Sequence, residues 1–215
     1  MTEIKAVLFD LHGVLVDTTN WHRVALLSAL RDFGCKVPIP RSHPVWKIYG
    51  GTMKQLAYLD ETGWIDNLTP NLLFDIYKKK QEYTKKLIKG QCKPAYNTIA
   101  LLEYLMTSGY RMAVVTNGSV DNVEAILKAA GISEYFEFVI TRETVNGKVK
   151  PSPTPYVEAA HRMGLIGGEA LAIDDTQRGI MSAIGARCRF WHLYSPEDLT
   201  IDNFKRVIDS YEIMI

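Results

Sequence analysis

Apolar runs that break off at polar residues recur along the chain. Ile4 to Phe9 is such a run; it stops at Asp10, and a turn signal follows at Gly13. This is the pattern of a buried parallel strand feeding a loop. It returns in RMAVVTNGS (Arg111 to Ser119), FEFVITR (Phe136 to Arg142) and ALAIDDT (Ala170 to Thr176). Helical periodicity fills the intervals: Asn97 to Ser108, Val120 to Ala130 closed by Gly131, Thr154 to Met163 closed by Gly164, and Gln177 to Ile184 closed by Gly185. Strands and helices alternating at these lengths predict an α/β fold built on a doubly wound parallel sheet. Ligands of such sheets bind beyond the carboxyl ends of the strands. Asp10, Thr116, Asp174 and Asp175 stand at those ends, so the fold can gather them although they are far apart in sequence.

Residues 17 to 90 interrupt the alternation and read as helices only. One is expected from Trp21 to Phe33, one after Thr52, and one from Leu72 to Ile88. The expected division is a core of residues 1–16 and 91–215 with a helical insertion, 17–90, forming a cap. CKVPIPRSHP reads as a loop inside the cap and KGQCKPAY as the return hinge. Hinge motion is expected at Val16 to Thr18 and at Lys89 to Pro94.

Composition narrows the function. With 25 Lys and Arg against 24 Asp and Glu, the net charge is +1, too small a field to recruit nucleic acid or an anionic membrane. Any phosphate recognition must be local. The charged start, MTEIK, and the short apolar run after it fit neither a signal peptide nor a spanning helix, so a cytoplasmic protein is expected. Cys35, Cys92 and Cys188 are widely spaced and form no CxxC pair, which predicts reduced thiols rather than disulfides or a zinc site. Oligomeric state leaves no mark in the sequence.

An aspartate at one strand end, a threonine at the next, a lysine in a loop and an acidic pair at a fourth strand suit phosphoryl transfer. Asp10 can attack phosphorus and form an aspartyl-phosphate. Thr116 and the amides of Asn117 and Gly118 can hold phosphate oxygens, and Lys150 can neutralise developing charge. Asp10 and Asp175 can share an oxygen-ligated Mg²⁺. The adjacent Asp174 and Asp175 also suit a helix N-cap, but two neighbouring carboxylates repel unless a cation shares them, which favours metal binding.

These residues carry a resemblance. FDLHGVLVDT, VVTNG, KVKPSPTPY and AIDDTQRGIMSAIGA, in that order, resemble the four motifs of the haloacid dehalogenase superfamily, in the group whose helical cap follows the first strand. The resemblance implies a Rossmann-like core and a hydrolase of small phosphorylated metabolites. It also implies Asp10 as nucleophile, Thr116 as phosphate ligand and Lys150 as charge clamp. The metal ligands it implies are Asp10, Asp175, the main-chain carbonyl of His12 and, through water or from behind, Asp174.

His12 is the departure, because the family's phosphatases and mutases carry there a second aspartate that protonates the leaving oxygen and then activates water. Three readings stay open. The imidazole performs the same proton transfers; the chemistry does without that acid, as in relatives that cleave carbon–phosphorus or carbon–halogen bonds; or the chain is a weakened enzyme that binds phospho-ligands. Lys54, three residues after Gly51, bears on the second, since phosphonoacetaldehyde hydrolases use a cap lysine as a Schiff base. It also suits a substrate clamp or an ordinary surface lysine. TNGSVDNVEAILKAAGI looks like the corresponding stretch of 2-haloacid dehalogenases, but those lack an acidic pair. His22 is a lesser candidate beside Trp21. Lys78, Lys79, Lys80, Lys85, Lys86 and Lys89 are expected to form a solvated face, and Trp46, Tyr58 and Trp64 are expected in the core or under the cap.

Overall fold

The computed structural model describes residues 3–18, 20–48, 51–95 and 97–212. The chain divides into two compact units, Met1–Asp17 with Cys92–Ile215, and Thr18–Gln91.

The first unit is built on five parallel strands: β1 (Ala6–Phe9), β2 (Arg111–Val115), β3 (Val139–Ile140), β4 (Ala170–Asp174) and β5 (Arg189–His192). Their spatial order is β3-β2-β1-β4-β5, so β1 lies at the centre with a neighbour on each side. The register sets Phe9 beside Val114 on one flank and Ile173 on the other. Asp10 N–H then donates to Ile173 O at 2.9 Å, and Thr116 N–H to Ile140 O at 2.9 Å. The polar residues ending three strands therefore emerge at one edge of the sheet. Burial explains the apolar composition of β1, whose four residues are all shielded from solvent.

Side chains alternate across a strand. Ala6 and Leu8 pack with Tyr156 and Ala159 of α6 (Thr154–Arg162) and Ala183 of α7 (Gln177–Gly185). Three further helices belong to this unit: α4 (Thr98–Thr107), α5 (Val120–Ala130) and α8 (Ile201–Glu212). α5 ends as expected at Gly131, with φ 67°. α7 does not end at Gly185 but takes it in and is capped by Ala186, the chain turning instead at Arg187, with φ 58°. β5 and α8 were not among the expected elements, and the FEFVITR run shrinks to a two-residue strand.

The second unit is helical, as the periodicity predicts: α1 (Trp21–Asp32), α2 (Thr52–Glu61) and α3 (Pro70–Gln91), with a 3-10 turn at Pro44–Lys47. Leu26, Leu30, Ile39, Leu56, Leu59 and Ile76 form its core, and Trp46, Tyr58 and Trp64 pack against it. α3 runs through Gln91, so the first residues of the expected return hinge are helix, and irregular chain starts at Cys92. Met1 and Thr2 of MTEIK and Tyr96 of KGQCKPAY lie outside the described residues. One lysine of the expected solvated face is not solvated: Lys80 is buried, its ammonium 3.1 Å from His22 Nδ1. Among the described residues no helix is long and apolar enough to cross a membrane.

Candidate active site

The chain leaving β1 folds back at once. Leu15 and Val16 N–H groups donate to Leu11 O, and Gly13 N–H donates to Val16 O at 3.0 Å. Gly13 takes φ 83°, and a Cβ there would overlap Asp175 Oδ2. A left-handed residue without a side chain is what lets the acidic pair close over this turn.

Lys150 organises the carboxylates. Its buried ammonium donates to Asp10 Oδ1 at 2.8 Å and to Asp174 Oδ2 at 2.6 Å. Asp174 is used on both oxygens. Oδ2 also accepts from Tyr156 Oη at 2.9 Å, and Oδ1 accepts from Thr176 N–H at 3.0 Å and Thr176 Oγ1 at 2.7 Å. Thr176 is at the same time the N-cap of α7, accepting from Gly179 N–H at 3.0 Å. The N-cap role considered for the acidic pair thus belongs to the threonine after it. The Asp174 carboxylate lies where a Cβ on Gly179 would be, so this helix turn also requires a glycine.

Asp175 differs from Asp174. Its Oδ1 is buried and has no hydrogen-bond partner. Asp10, Asp174 and Asp175 each offer an oxygen within 4.8 Å of the others. An orphaned, buried carboxylate oxygen among three carboxylates is the donor set of a hard divalent cation. The residues present therefore fit Mg²⁺.

Charge follows from this packing. Burial, with the repulsion of Asp174 and Asp175, pushes the Asp10 carboxyl up to about 7 against the pull of Lys150. Burial and Asp174 push Asp175 up to about 6. Although burial opposes it, Lys150 holds Asp174 below the usual carboxylate range. Burial would neutralise Lys150, but Asp10 and Asp174 outweigh it and keep the ammonium charged well above its ordinary range. The site is thus an excess of carboxylate over one fixed cation.

Thr116 is buried, and its Oγ1 accepts from Gly118 N–H at 3.2 Å. The Asn117 side chain clamps the lysine loop: Lys150 N–H donates to Asn117 Oδ1 at 2.9 Å, and Asn117 Nδ2 donates to Lys150 O at 3.2 Å. Arg178 donates to the same carbonyl at 2.8 Å. The half-buried His12 imidazole is not part of the carboxylate trio; its Nε2 lies 3.5 Å from where a Gly118 Cβ would stand, on the Thr116–Gly118 side. His192 Nε2 lies 3.3 Å from Asp175 O. Lys54 is exposed in the first turn of α2, in the helical unit.

Asp10, Thr116, Asn117, Gly118, Lys150, Asp174 and Asp175 were all expected here. Tyr156, Thr176, Arg178 and His192 were not. Thr176 was legible as a threonine directly before a helical run, a preferred N-cap residue, and Tyr156 lay inside KVKPSPTPY with no polar partner indicated by the sequence.

Known proteins resemble this chain in sequence and in fold. A phosphoglycolate phosphatase of Aquifex aeolicus is 28% identical over 184 residues, 82% of this chain and 78% of that protein. The crystal structure of a predicted phosphoglycolate phosphatase from Haemophilus somnus superposes with a TM-score of 0.81 at 26% identity, covering 91% of this chain and 87% of that one. A mutant of CbbY from Rhodobacter sphaeroides, solved in complex with xylulose-(1,5)bisphosphate, superposes at 0.75 with 26% identity, covering 90% and 89%. The profile described as haloacid dehalogenase-like hydrolase matches residues 7–192, a span that runs from β1 to the end of β5 and takes in every residue of the carboxylate–lysine cluster. The chain belongs to the haloacid dehalogenase-like hydrolases and is by family a hydrolytic enzyme.

Proposed function

We propose that the protein is a Mg²⁺-dependent phosphatase acting on a small phosphorylated metabolite through an aspartyl-phosphate on Asp10. The observation that carries this reading is the Lys150 ammonium bridging Asp10 and Asp174 beside the unpartnered oxygen of Asp175. Relatives named for phosphoglycolate and a neighbour holding a sugar bisphosphate support the substrate class.

In this reading a carboxylate oxygen of Asp10 bonds to phosphorus, the bond from phosphorus to the leaving oxygen breaks, and His12 gives that oxygen its proton. Water then attacks the same phosphorus, passes a proton to His12, and Asp10 leaves as carboxylate. Thr116 Oγ1 and the N–H groups of Asn117 and Gly118 hold the phosphoryl oxygens, and Lys150 balances their charge. Mg²⁺, held by Asp10, Asp175 and the carbonyl of His12 with Asp174 behind them, would add positive charge beside those oxygens. Substrate choice is assigned to the helical unit of residues 18–91, where Lys54 would meet an anionic group.

The test is hydrolysis of an aryl phosphate by wild type, Asp10→Asn and His12→Asp, each with Mg²⁺ and with EDTA. Turnover by wild type with Mg²⁺, abolished by EDTA and by Asp10→Asn, is expected. Undiminished turnover by Asp10→Asn would overturn the reading. Borohydride with a phosphonoaldehyde is expected to leave no adduct on Lys54; a reduced adduct there would move the chemistry to carbon–phosphorus cleavage.

A further inference from the structure

We infer that Tyr156 is a positioning residue of the reaction, acting through Asp174 to keep the Lys150 ammonium on Asp10. The inference rests on the reading of Asp10 as the nucleophile. Tyr156 is fully buried in the first turn of α6 and meets the cluster in two ways. Its hydroxyl donates to Asp174 Oδ2 at 2.9 Å, and its ring centroid lies 4.9 Å from Lys150 Nζ.

The two contacts have different consequences. The ring face attracts the ammonium and bounds one side of it. The hydroxyl competes with the ammonium for one acceptor, because Tyr156 Oη and Lys150 Nζ both donate to Asp174 Oδ2. An ammonium has three N–H groups, of which one goes to Asp174 and one to Asp10. By sharing Oδ2, the tyrosine hydroxyl lowers the pull of Asp174 on Lys150 and leaves the ammonium free to hold Asp10. A phenylalanine would keep the ring and the packing but leave Lys150 as the only donor to that oxygen. The ammonium would then be drawn toward Asp174, and the Asp10 carboxylate would lose part of its support.

The experiment is steady-state hydrolysis of an aryl phosphate with Mg²⁺ by wild type, Tyr156→Phe, Asp174→Asn and the double variant. Tyr156→Phe is expected to lower kcat about tenfold, the effect of one hydrogen bond to a charged group felt in the transition state. KM should stay within about twofold, since ground-state binding does not involve the hydroxyl. Added to Asp174→Asn, the same change should cost almost nothing more, because its route is already cut. Beryllofluoride, which mimics a phosphoryl group on a carboxylate, gives a readout without turnover; its affinity should fall in Tyr156→Phe. Wild-type kcat and wild-type beryllofluoride affinity in Tyr156→Phe, or losses that multiply in the double variant, would overturn the inference. A wild type inert toward phosphate esters would instead remove the phosphatase reading itself.

Discussion

Lys150 and Asp10 are 140 residues apart in the chain and 2.8 Å apart in the fold, and both are buried. The contact joins the first strand to the loop before α6 and supplies fixed positive charge where three carboxylates converge. Lys150→Met removes that charge and leaves Asp10 and Asp174 facing each other uncompensated. Breaking a buried ion pair on one side costs about 3–5 kcal/mol. Both turnover and melting temperature are expected to fall, and the melting temperature should fall less when Mg²⁺ is present. A variant that melts like wild type without metal would contradict the account.

Asp175 gives the opposite sign. Its buried Oδ1 has no partner, and its neighbour Asp174 repels it. Asp175→Asn should therefore raise the melting temperature in EDTA while abolishing turnover. Mg²⁺ at about a hundred times its Kd should stabilise wild type by on the order of 3 kcal/mol and leave the variant unmoved. Calorimetry with and without Mg²⁺ checks both halves; an equal Mg²⁺ shift in the variant would mean the cation binds elsewhere.

Gly179 separates helix propensity from site geometry. In an open helix, alanine is worth about 1 kcal/mol over glycine. Here the added carbon would overlap the Asp174 carboxylate, which Thr176, Lys150 and Tyr156 hold in place. Gly179→Ala is expected to lose stability and activity together; a higher melting temperature would show that Asp174 has room to move.

Lys80 predicts a pH effect in the helical unit. Burial lowers its pKa from 10.5 to about 8. Between those values the unfolded chain binds the proton and the folded one does not, so stability rises with pH across that interval. Below pH 8 the charged ammonium is buried in the fold at a cost on the order of 3 kcal/mol. Lys80→Met should raise the melting temperature at pH 7, and the gain should shrink as the pH climbs from 8 toward 10.5. A gain independent of pH would assign the effect to packing.

The parts of the fold legible in sequence were those where one physical signal dominates. β1, β2 and β4 are near-continuous apolar runs that break off at Asp10, Thr116 and Asp174, the composition that burial on both faces imposes on such strands. β5 gave no such signal, because Arg189 to His192 is a half-buried edge paired only with β4. α3 was cut short at its end because Gly90 reads as a breaker, yet the helix continues through it. Lys80 was hidden in the run Lys78 to Lys80, where periodicity cannot say which lysine turns inward. In the site, the spacing of motifs revealed Asp10, Thr116, Lys150, Asp174 and Asp175. It could not reveal that Asn117 uses its side chain on the Lys150 main chain, or that Tyr156 and Thr176 saturate Asp174. Such contacts depend on the docking of α6 and α7.

The most direct test of the central claim is a rapid acid quench of wild type mixed with Mg²⁺ and an aryl phosphate, followed by peptide mass analysis. The account predicts a phosphoryl group on the peptide containing Asp10, formed and consumed at rates compatible with turnover and absent in Asp10→Asn. Steady turnover with no phosphoryl group on that peptide at any time, or with one that Asp10→Asn leaves in place, would contradict it.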